Sequence, residues 1–414
     1  MKLKNYFSKI MIDIRKIRSD FPIFSELRNN NPFIYFDNAA TTQKPKIVVD
    51  SIYDFYTKYN SNIQRGLYFF ADKAGSDFEN SRKLISSFLN TAHAEEIIFT
   101  SGTTQSINMV AFGYLKHVAS TGGEVLIGEM EHHANIVPWQ VACAQLGLKL
   151  NTIKCCENGK LDLLDFKTKL SHNVKLVAVQ HVSNITGHKN NIKKICDLCK
   201  ENQTIVFVDG AQAISNQTTN VQDLDCDFYC FSGHKLFGPS GVGVLYGKKH
   251  LLDTMDPVNF GGNMINSVSF SKTTFGGLPQ KLEAGTPNIA GVIGLGAAIK
   301  YINNIGIENI YNAEKILAKK LWDNLSSNKH VVLDATQCPD KPIFSFNVKN
   351  KHHYDIGSIL DEMNVCVRTG KLCAQTAISK LNVNGLIRAS LCFYNTKKEI
   401  DFFINSLNKA IKFL

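Results

Sequence analysis

Residues 232–246 read SGHKLFGPSGVGVLY and place Lys235 in a glycine-rich turn between two hydrophobic strand patterns. A lysine that condenses with an aldehyde must lose its proton near neutral pH, which requires desolvation or cationic company and close backbone approach to its ligand. Ser232, Gly233, Gly238, Gly241 and Gly243 permit that approach. Glycine-rich turns with a lysine also bind phosphates or simply reverse the chain, so the reading depends on what surrounds it.

Outward from this turn, short apolar runs alternate with longer helical patterns, the mark of βαβ units and a mostly parallel sheet. The strand candidates are EEIIFT (95–100), EVLIGE (124–129), VKLVAVQ (174–180), TIVFVDG (204–210), DFYCFSG (227–233) and GVGVLY (241–246). Helical patterns fill the gaps at 104–117, 136–147 and 191–202. The apolar segment AGVIGLGAAI (290–299) leads into a further helical region, followed by the strand patterns KPIFSFNV, VCVRTG and LIRASL. The fold class that follows is α/β. A large unit over 31–299 holds a mostly parallel central sheet, and a smaller α+β unit spans 300–414. Residues 11–30 form a helical segment packing with the small unit, and 1–10 an extension of no importance, Met11 serving as an alternative start. In such sheets ligands sit outside the carboxyl ends of the strands.

The chemistry-bearing residues fall at those ends. Asp209 closes the run TIVFVD, one strand-helix-strand interval before Lys235. A carboxylate there suits a protonated pyridine nitrogen, and with the lysine it indicates pyridoxal 5'-phosphate, whose ring is an electron sink. Gln212 is placed to meet the ring's phenolic oxygen. Ser101, Gly102, Thr103 and Thr104 join a strand to a helix, so amides and hydroxyls converge at a positive helix end that suits a phosphate. Ser232 and His234 add donors from the lysine turn. An ordinary helix cap explains each of these motifs singly.

His132 and His133, in GEMEHHANIVPWQ, follow another strand. One imidazole there stacks on a cofactor ring and passes protons; a surface or capping pair is the plain alternative, and metal ligation by chain neighbours without an HExxH spacing is disfavoured. Arg368 and Arg388 are placed to grip a substrate carboxylate bidentately. Cys373, in a turn with Lys371 and Arg368, has the electropositive surroundings of a reactive thiol.

Composition excludes several classes. The chain has 414 residues and 44% hydrophobic content, enough for a full core. Its net charge of +10 is dispersed with no basic-aromatic stripe, so it reads as a solvated cationic surface and not as a nucleic-acid footprint. Eleven cysteines without a secretory pattern point to a reducing compartment and free thiols. The pairs Cys196/Cys199 and Cys226/Cys230 read as buried thiols and not as a zinc site. No stretch offers the ~20 apolar residues of a membrane span. The expectation is a cytoplasmic protein with no metal, membrane or nucleic-acid partner.

Taken together, the chain resembles the Suf-type cysteine desulfurases, pyridoxal-phosphate enzymes of the class V aminotransferase group with the aspartate-aminotransferase fold. The resemblance runs from about Ile14 to the C-terminus through YFDNAATTQKP, SGTTQSIN, EHHANIVPWQ, HVSNITG, VDGAQA, SGHKLFGPSGVGVLY, EAGTPN, RTGKLCAQ and RASLCFYNT, in family order. It implies that Lys235 carries the cofactor, Asp209 pairs with the pyridine nitrogen, Gln212 meets the phenolic oxygen and His132 stacks on the ring. It also implies that Thr103, Thr104, Ser232 and His234 hold the phosphate, while Thr286 reaches the phosphate of the other subunit in a homodimer. Asn184, Arg368 and Arg388 would orient L-cysteine. Cys373 would take its sulfur as a persulfide, releasing alanine, and pass it to an acceptor protein for iron–sulfur cluster assembly. The short RTGKLC connection fits the Suf-type branch.

The chain departs from the family pattern at Gln64, Tyr68 and Lys371–Leu372, where histidine is frequent. Gln64 hydrogen-bonds but does not titrate, which puts a proton shuttle there in doubt. A selenocysteine lyase and a non-catalytic sulfur-transfer scaffold are the alternative readings; intact Lys235, Asp209 and Cys373 argue against the scaffold.

Overall fold

The chain folds around a seven-stranded sheet. A computed structural model describes residues 13–119 and 122–414. The extension at 1–10 and the start at Met11 lie outside the described residues. The strands are β1 (Ile97–Thr100), β2 (Glu124–Gly128), β3 (Lys149–Ile153), β4 (Val174–Gln180), β5 (Ile205–Asp209), β6 (Phe228–Ser232) and β7 (Gly243–Gly247). They lie in the order β1-β7-β6-β5-β4-β2-β3. β7 runs antiparallel to both neighbours and every other pair is parallel.

Both faces of the sheet are covered over its central strands, which are mainly apolar instead of alternating. Val206, Val208, Tyr229 and Phe231 face one buried cluster, whereas Phe207, Phe228 and Cys230 face the other. Cys196, Cys199 and Cys226 belong to the first cluster and Cys230 to the second. The sheet therefore separates Cys230 from the other three. β3 was absent from the sequence expectation because Lys149, Asn151 and Thr152 are exposed on an edge strand, and KLNTI carries no apolar run.

In chain order the helices that frame this sheet are α1 (Lys46–Lys58), α2 (Phe69–Leu89), α3 (Thr103–Gly113), α4 (Val137–Leu146), α5 (Ile192–Glu201), α6 (Ile289–Ile305) and α7 (Ile307–Ser326). α6 is apolar on nearly every side because it is buried against α1 and α2. Gly306, at φ 87°, ends it, and α7 leaves at a 76° bend. The expected boundary at 299/300 thus falls inside a helix, and the structural break is at Gly306. Among the described residues no single helix is long and apolar enough to cross a membrane.

The smaller unit holds β8 (Val331–Leu333), β9 (Ile343–Val348), β10 (Arg368–Gly370) and β11 (Leu386–Ser390) in the antiparallel order β8-β9-β11-β10. Helices α8 (His353–Glu362), α9 (Gln375–Lys380) and α10 (Lys397–Phe413) accompany it.

Two N-terminal expectations need correction. Ile34 and Phe36 are buried in the core of the smaller unit, and Ile34–Tyr35 pairs in parallel with Val365–Cys366, so that unit also claims residues assigned to 31–299. Within the described part of the 11–30 segment a short helix, Ile14–Ser19, is followed by a 3-10 turn, Pro22–Ser25, and a two-residue strand, Leu27–Arg28, and the segment contacts both units. Arg18 pairs with Glu399 of α10, whereas Phe21 packs edge-on against Phe237 of the lysine turn and Tyr301 of α6. Phe21 is fully buried, which is why so short a helix holds its place.

Candidate active site

The carboxyl ends of β4, β5 and β6 and the loops of the smaller unit enclose a cavity of about 320 Å³. It is lined by Thr103, Thr104, His132, Asn184, Asp209, Gln212, Ser232, His234, Lys235, Arg368, Cys373 and Arg388. Of the candidates named from the sequence, Thr286, His133, Ser101 and Gly102 do not line this cavity, and the other site residues do. Thr286 is exposed in the loop before α6, and Gln64 and Tyr68 likewise lie away from the lining.

Lys235 ends a short 3-10 turn, Gly233–Lys235, entered directly from β6. The turn is anchored by one carbonyl: His234 O accepts from Thr41 Oγ1, Thr42 Oγ1 and the Thr42 N–H, each at 3.1 Å, and from Lys44 Nζ at 3.0 Å. Burial pushes the Lys235 amine down to about 8; Asp209 opposes the shift, and Arg388 and Lys341 add to it. Lys44 is depressed to about 8 by burial as well. Sequence reading singled out neither Thr41, Thr42 nor Lys44. Their signal was the TTQK that follows YFDNAA.

Asp209 is buried at the tip of β5 with Oδ1 accepting from the Ala211 N–H at 2.9 Å. Burial raises its carboxyl and the nearby Lys235 lowers it. Gln212 donates through Nε2 to Ala39 O at 2.8 Å, which leaves the second hydrogen of that amide. Lys341, at the start of β9, donates to Ser215 Oγ at 2.6 Å and also bonds Gln212 O, so the smaller unit braces the turn after β5.

The phosphate-type motif is partly changed by the structure. Thr103 donates its N–H to Ser232 Oγ at 2.9 Å, and its hydroxyl shares a 2.9 Å bond with the same oxygen. Thr103 and Ser232 therefore hold each other, and Thr104 is left presenting at the N-terminus of α3. Backbones must meet closely here. A Cβ on Gly243 would lie 2.4 Å from Gly102 Cα, and Gly102 itself sits at φ 153°. His234 borders the same end of the cavity, its imidazole held neutral by burial, which lowers it to about 4.

His132 caps the 3-10 turn His133–Asn135, its Nδ1 accepting the Ala134 N–H at 3.1 Å. Burial, aided by Lys235, lowers it to about 3. The ring is thus neutral, with its proton on Nε2.

Arg388 is buried on β11 directly opposite Arg368 on β10. Arg368 forks onto Asp37 Oδ2 at 3.0 and 2.6 Å, while Arg388 reaches Asp37 Oδ1 at 3.4 Å and Asn184 O at 3.1 Å. Arg388 Nε and Asn184 Oδ1 are buried without a partner. Unpaired polar atoms of this kind in a cavity wall mark a place for a polar ligand. Asp37 went unnoticed in the sequence because only the fold brings it between two distant arginines.

Cys373 is exposed to the cavity and reduced, in a loop where it and Leu372 both take left-handed conformations, φ 53° and 54°. Asn184 Nδ2 donates to Leu372 O at 3.0 Å. The amine, the buried carboxylate, the anion-type helix end, the free guanidinium face and the thiol thus converge on one cavity.

A family profile of class-V aminotransferases matches residues 34–403. The chain belongs to this family. It is 43% identical over 403 residues to a cysteine desulfurase of Wigglesworthia glossinidia brevipalpis, covering 97% of this chain and 98% of that one. With a cysteine desulfurase of Escherichia coli (strain K12) the identity is 40% over 406 residues, covering 98% and 100%. Solved structures agree. A cysteine desulfurase from Escherichia coli superposes with a TM-score of 0.91 at 35% identity, covering 98% of this chain and 100% of that one. The apo cysteine desulfurase of Thermococcus onnurineus NA1 also gives 0.91, at 38% identity and 97% and 98% coverage.

Proposed function

We propose that this chain is a pyridoxal-phosphate-dependent cysteine desulfurase that converts L-cysteine to L-alanine and takes the sulfur onto Cys373. One observation carries the reading: Lys235, Asp209 and Cys373 line a single cavity. Aminotransferases need the first two, and the thiol adds a sulfur acceptor.

The residues present fit pyridoxal phosphate. Lys235 would hold it covalently, Asp209 would face the pyridine nitrogen, Gln212 the phenolic oxygen and His132 the ring. Thr104, Ser232 and His234 would hold the phosphate at the N-terminus of α3. When bound, the cofactor supplies an electron sink that loosens bonds next to the substrate α-carbon.

The chain's own groups supply the rest. The unpaired Nε of Arg388, together with Asn184, receives the substrate carboxylate. Lys235 gives up a proton near neutral pH and is the base and acid nearest the substrate amine. His132, neutral, holds a proton on Nε2. The Cys373 sulfur attacks the substrate sulfur, the carbon–sulfur bond breaks and a sulfur–sulfur bond forms. The carbon fragment takes up a proton and leaves as alanine. Cysteine and one enzyme thiol become alanine and one enzyme persulfide, so the atoms and electrons balance without a further oxidant.

The proposal extends to delivery of that sulfur to an acceptor protein of iron–sulfur cluster assembly, in the cytoplasm, by a Suf-type homodimer. The compact turn from Gly370 to Ala374 supports the Suf-type assignment. Exposed Leu67, Tyr68 and Phe69, with Thr286 also exposed, support a second subunit.

Alanine formation from L-cysteine with a reductant to discharge the persulfide tests the reading, with mass spectrometry on a parallel single-turnover sample without reductant for a gain of about 32 Da, one sulfur, on Cys373. Alanine without that adduct, retained in Cys373→Ala, overturns it.

A further inference from the structure

His133, next to the cavity-facing His132, has no part in the chemistry above, yet it makes two bonds to the loop of Cys373. Its backbone N–H donates to Cys373 O at 2.9 Å, and its Nε2 accepts from the Gln375 N–H at 2.8 Å. We propose that His133 is a positioning residue that clamps the sulfur-accepting loop in register with the cofactor cavity. The proposal rests on the desulfurase reading.

The loop needs such a clamp. Leu372 and Cys373 both occupy the left-handed region that residues with a Cβ avoid, so the conformation persists only where its surroundings hold it. Gln375 opens α9, and the N-cap of that helix is Ala374, whose methyl group accepts nothing. His133 adds a cap from another element. Its imidazole nitrogen receives the N–H of the first helical residue, one of the donors that a helix start leaves unpaired and one that a capping side chain at position 374 does not reach. The carbonyl of Cys373, one residue earlier, is fixed from the same turn.

The geometry also links the loop to the ring-facing histidine. His132 and His133 share the 3-10 turn whose cap is His132 Nδ1. The turn that presents His132 to the cavity therefore also sets the height of the Cys373 sulfur. A displacement of about 1 Å in such a group can cost 10²-fold in rate.

The test compares His133→Ala, His133→Phe and His133→Gln as holoenzymes. The glutamine carbonyl oxygen reaches about as far as Nε2 and accepts; alanine and phenylalanine do not. For Ala and Phe the proposal expects kcat for alanine formation to fall about 10- to 100-fold. KM for L-cysteine and the visible cofactor band should hold, and amide exchange over 374–380 should quicken. Glutamine should restore both kcat and slow exchange. Unchanged exchange in His133→Ala overturns the clamp. Faster exchange with unchanged kcat reduces His133 to a helix cap and overturns the positioning role, as does a glutamine variant no better than alanine. A wild-type holoenzyme that makes no alanine overturns the desulfurase reading and the catalytic half of this proposal with it.

Discussion

Arg368 and Arg388 stand directly opposite each other on antiparallel strands, and Asp37 lies between them as their shared counter-charge. The sharing is unequal. Arg368 has its fork on Asp37 and its side chain is half exposed, whereas Arg388 is buried and keeps an unpaired Nε. On the proposed function Arg388 is therefore the substrate grip and Arg368 its electrostatic neighbour. Arg388→Lys should raise KM for L-cysteine at least tenfold, about 1.4 kcal/mol, because an ammonium cannot reproduce the fork. Arg368→Lys should change KM by less than half that factor. Steady-state kinetics on both variants decide it, and equal effects would refute the division of roles.

Lys235 sets a pH dependence. Burial lowers its pKa to about 8, against roughly 10.4 for an unperturbed lysine. Only the neutral amine condenses with an aldehyde, so loading of apoprotein should quicken as pH rises and level off above about 8. The growth rate of the visible cofactor band against pH reads this directly. A midpoint near 10 would show that the desolvated cavity does not act on the amine. Lys235→Ala should lose both the borohydride-sensitive band and turnover.

Cys373→Ala should keep the visible band of bound cofactor while losing alanine formation from L-cysteine, because no residue that holds the cofactor changes. Selenide release from L-selenocysteine, assayed beside alanine formation on wild type and variant, addresses the remaining alternative. The two readings differ in the cysteine reaction. A desulfurase makes alanine from L-cysteine as wild type and loses it in Cys373→Ala, whereas a selenocysteine lyase releases selenide in both proteins and makes little alanine from L-cysteine even as wild type.

Glu283 ties the large unit together far from the chemistry. Its carboxylate receives Arg82 Nη1 at 2.8 Å, Arg82 Nη2 at 2.9 Å and the Phe99 N–H at 2.7 Å, with both side chains buried. Glu283→Ala leaves a buried guanidinium without its main partner and should lower stability by about 3–5 kcal/mol. Urea denaturation measures this. A loss below about 1 kcal/mol would mean that water reaches Arg82 in the variant.

Much of the architecture was legible because local pattern and fold agree. β4, β5 and β6 are largely apolar runs, and the helices Val137–Leu146 and Ile192–Glu201 fall within the expected patterns. Thr103–Gly113 starts one residue before its pattern and ends short of it, a separate short helix following at Leu115–Val118. β3 escaped because an edge strand with exposed polar residues lacks that pattern. The domain border escaped because α6 runs on beyond its apolar stretch to Ile305, and only the bend at Gly306 ends it.

By itself, the sequence determined the type of sheet and singled out Lys235, Asp209 and Cys373 as candidates, since each sits in a short motif whose meaning is local. The tertiary structure decided what depends on residues far apart in the chain. It paired Thr103 with Ser232, gave Asp37 to Arg368 more than to Arg388, and tied the Cys373 loop to His133. Hydrogen bonds and charge pairing act over a few ångströms of space, and no sequence spacing reports which of several arginines or threonines has a partner there.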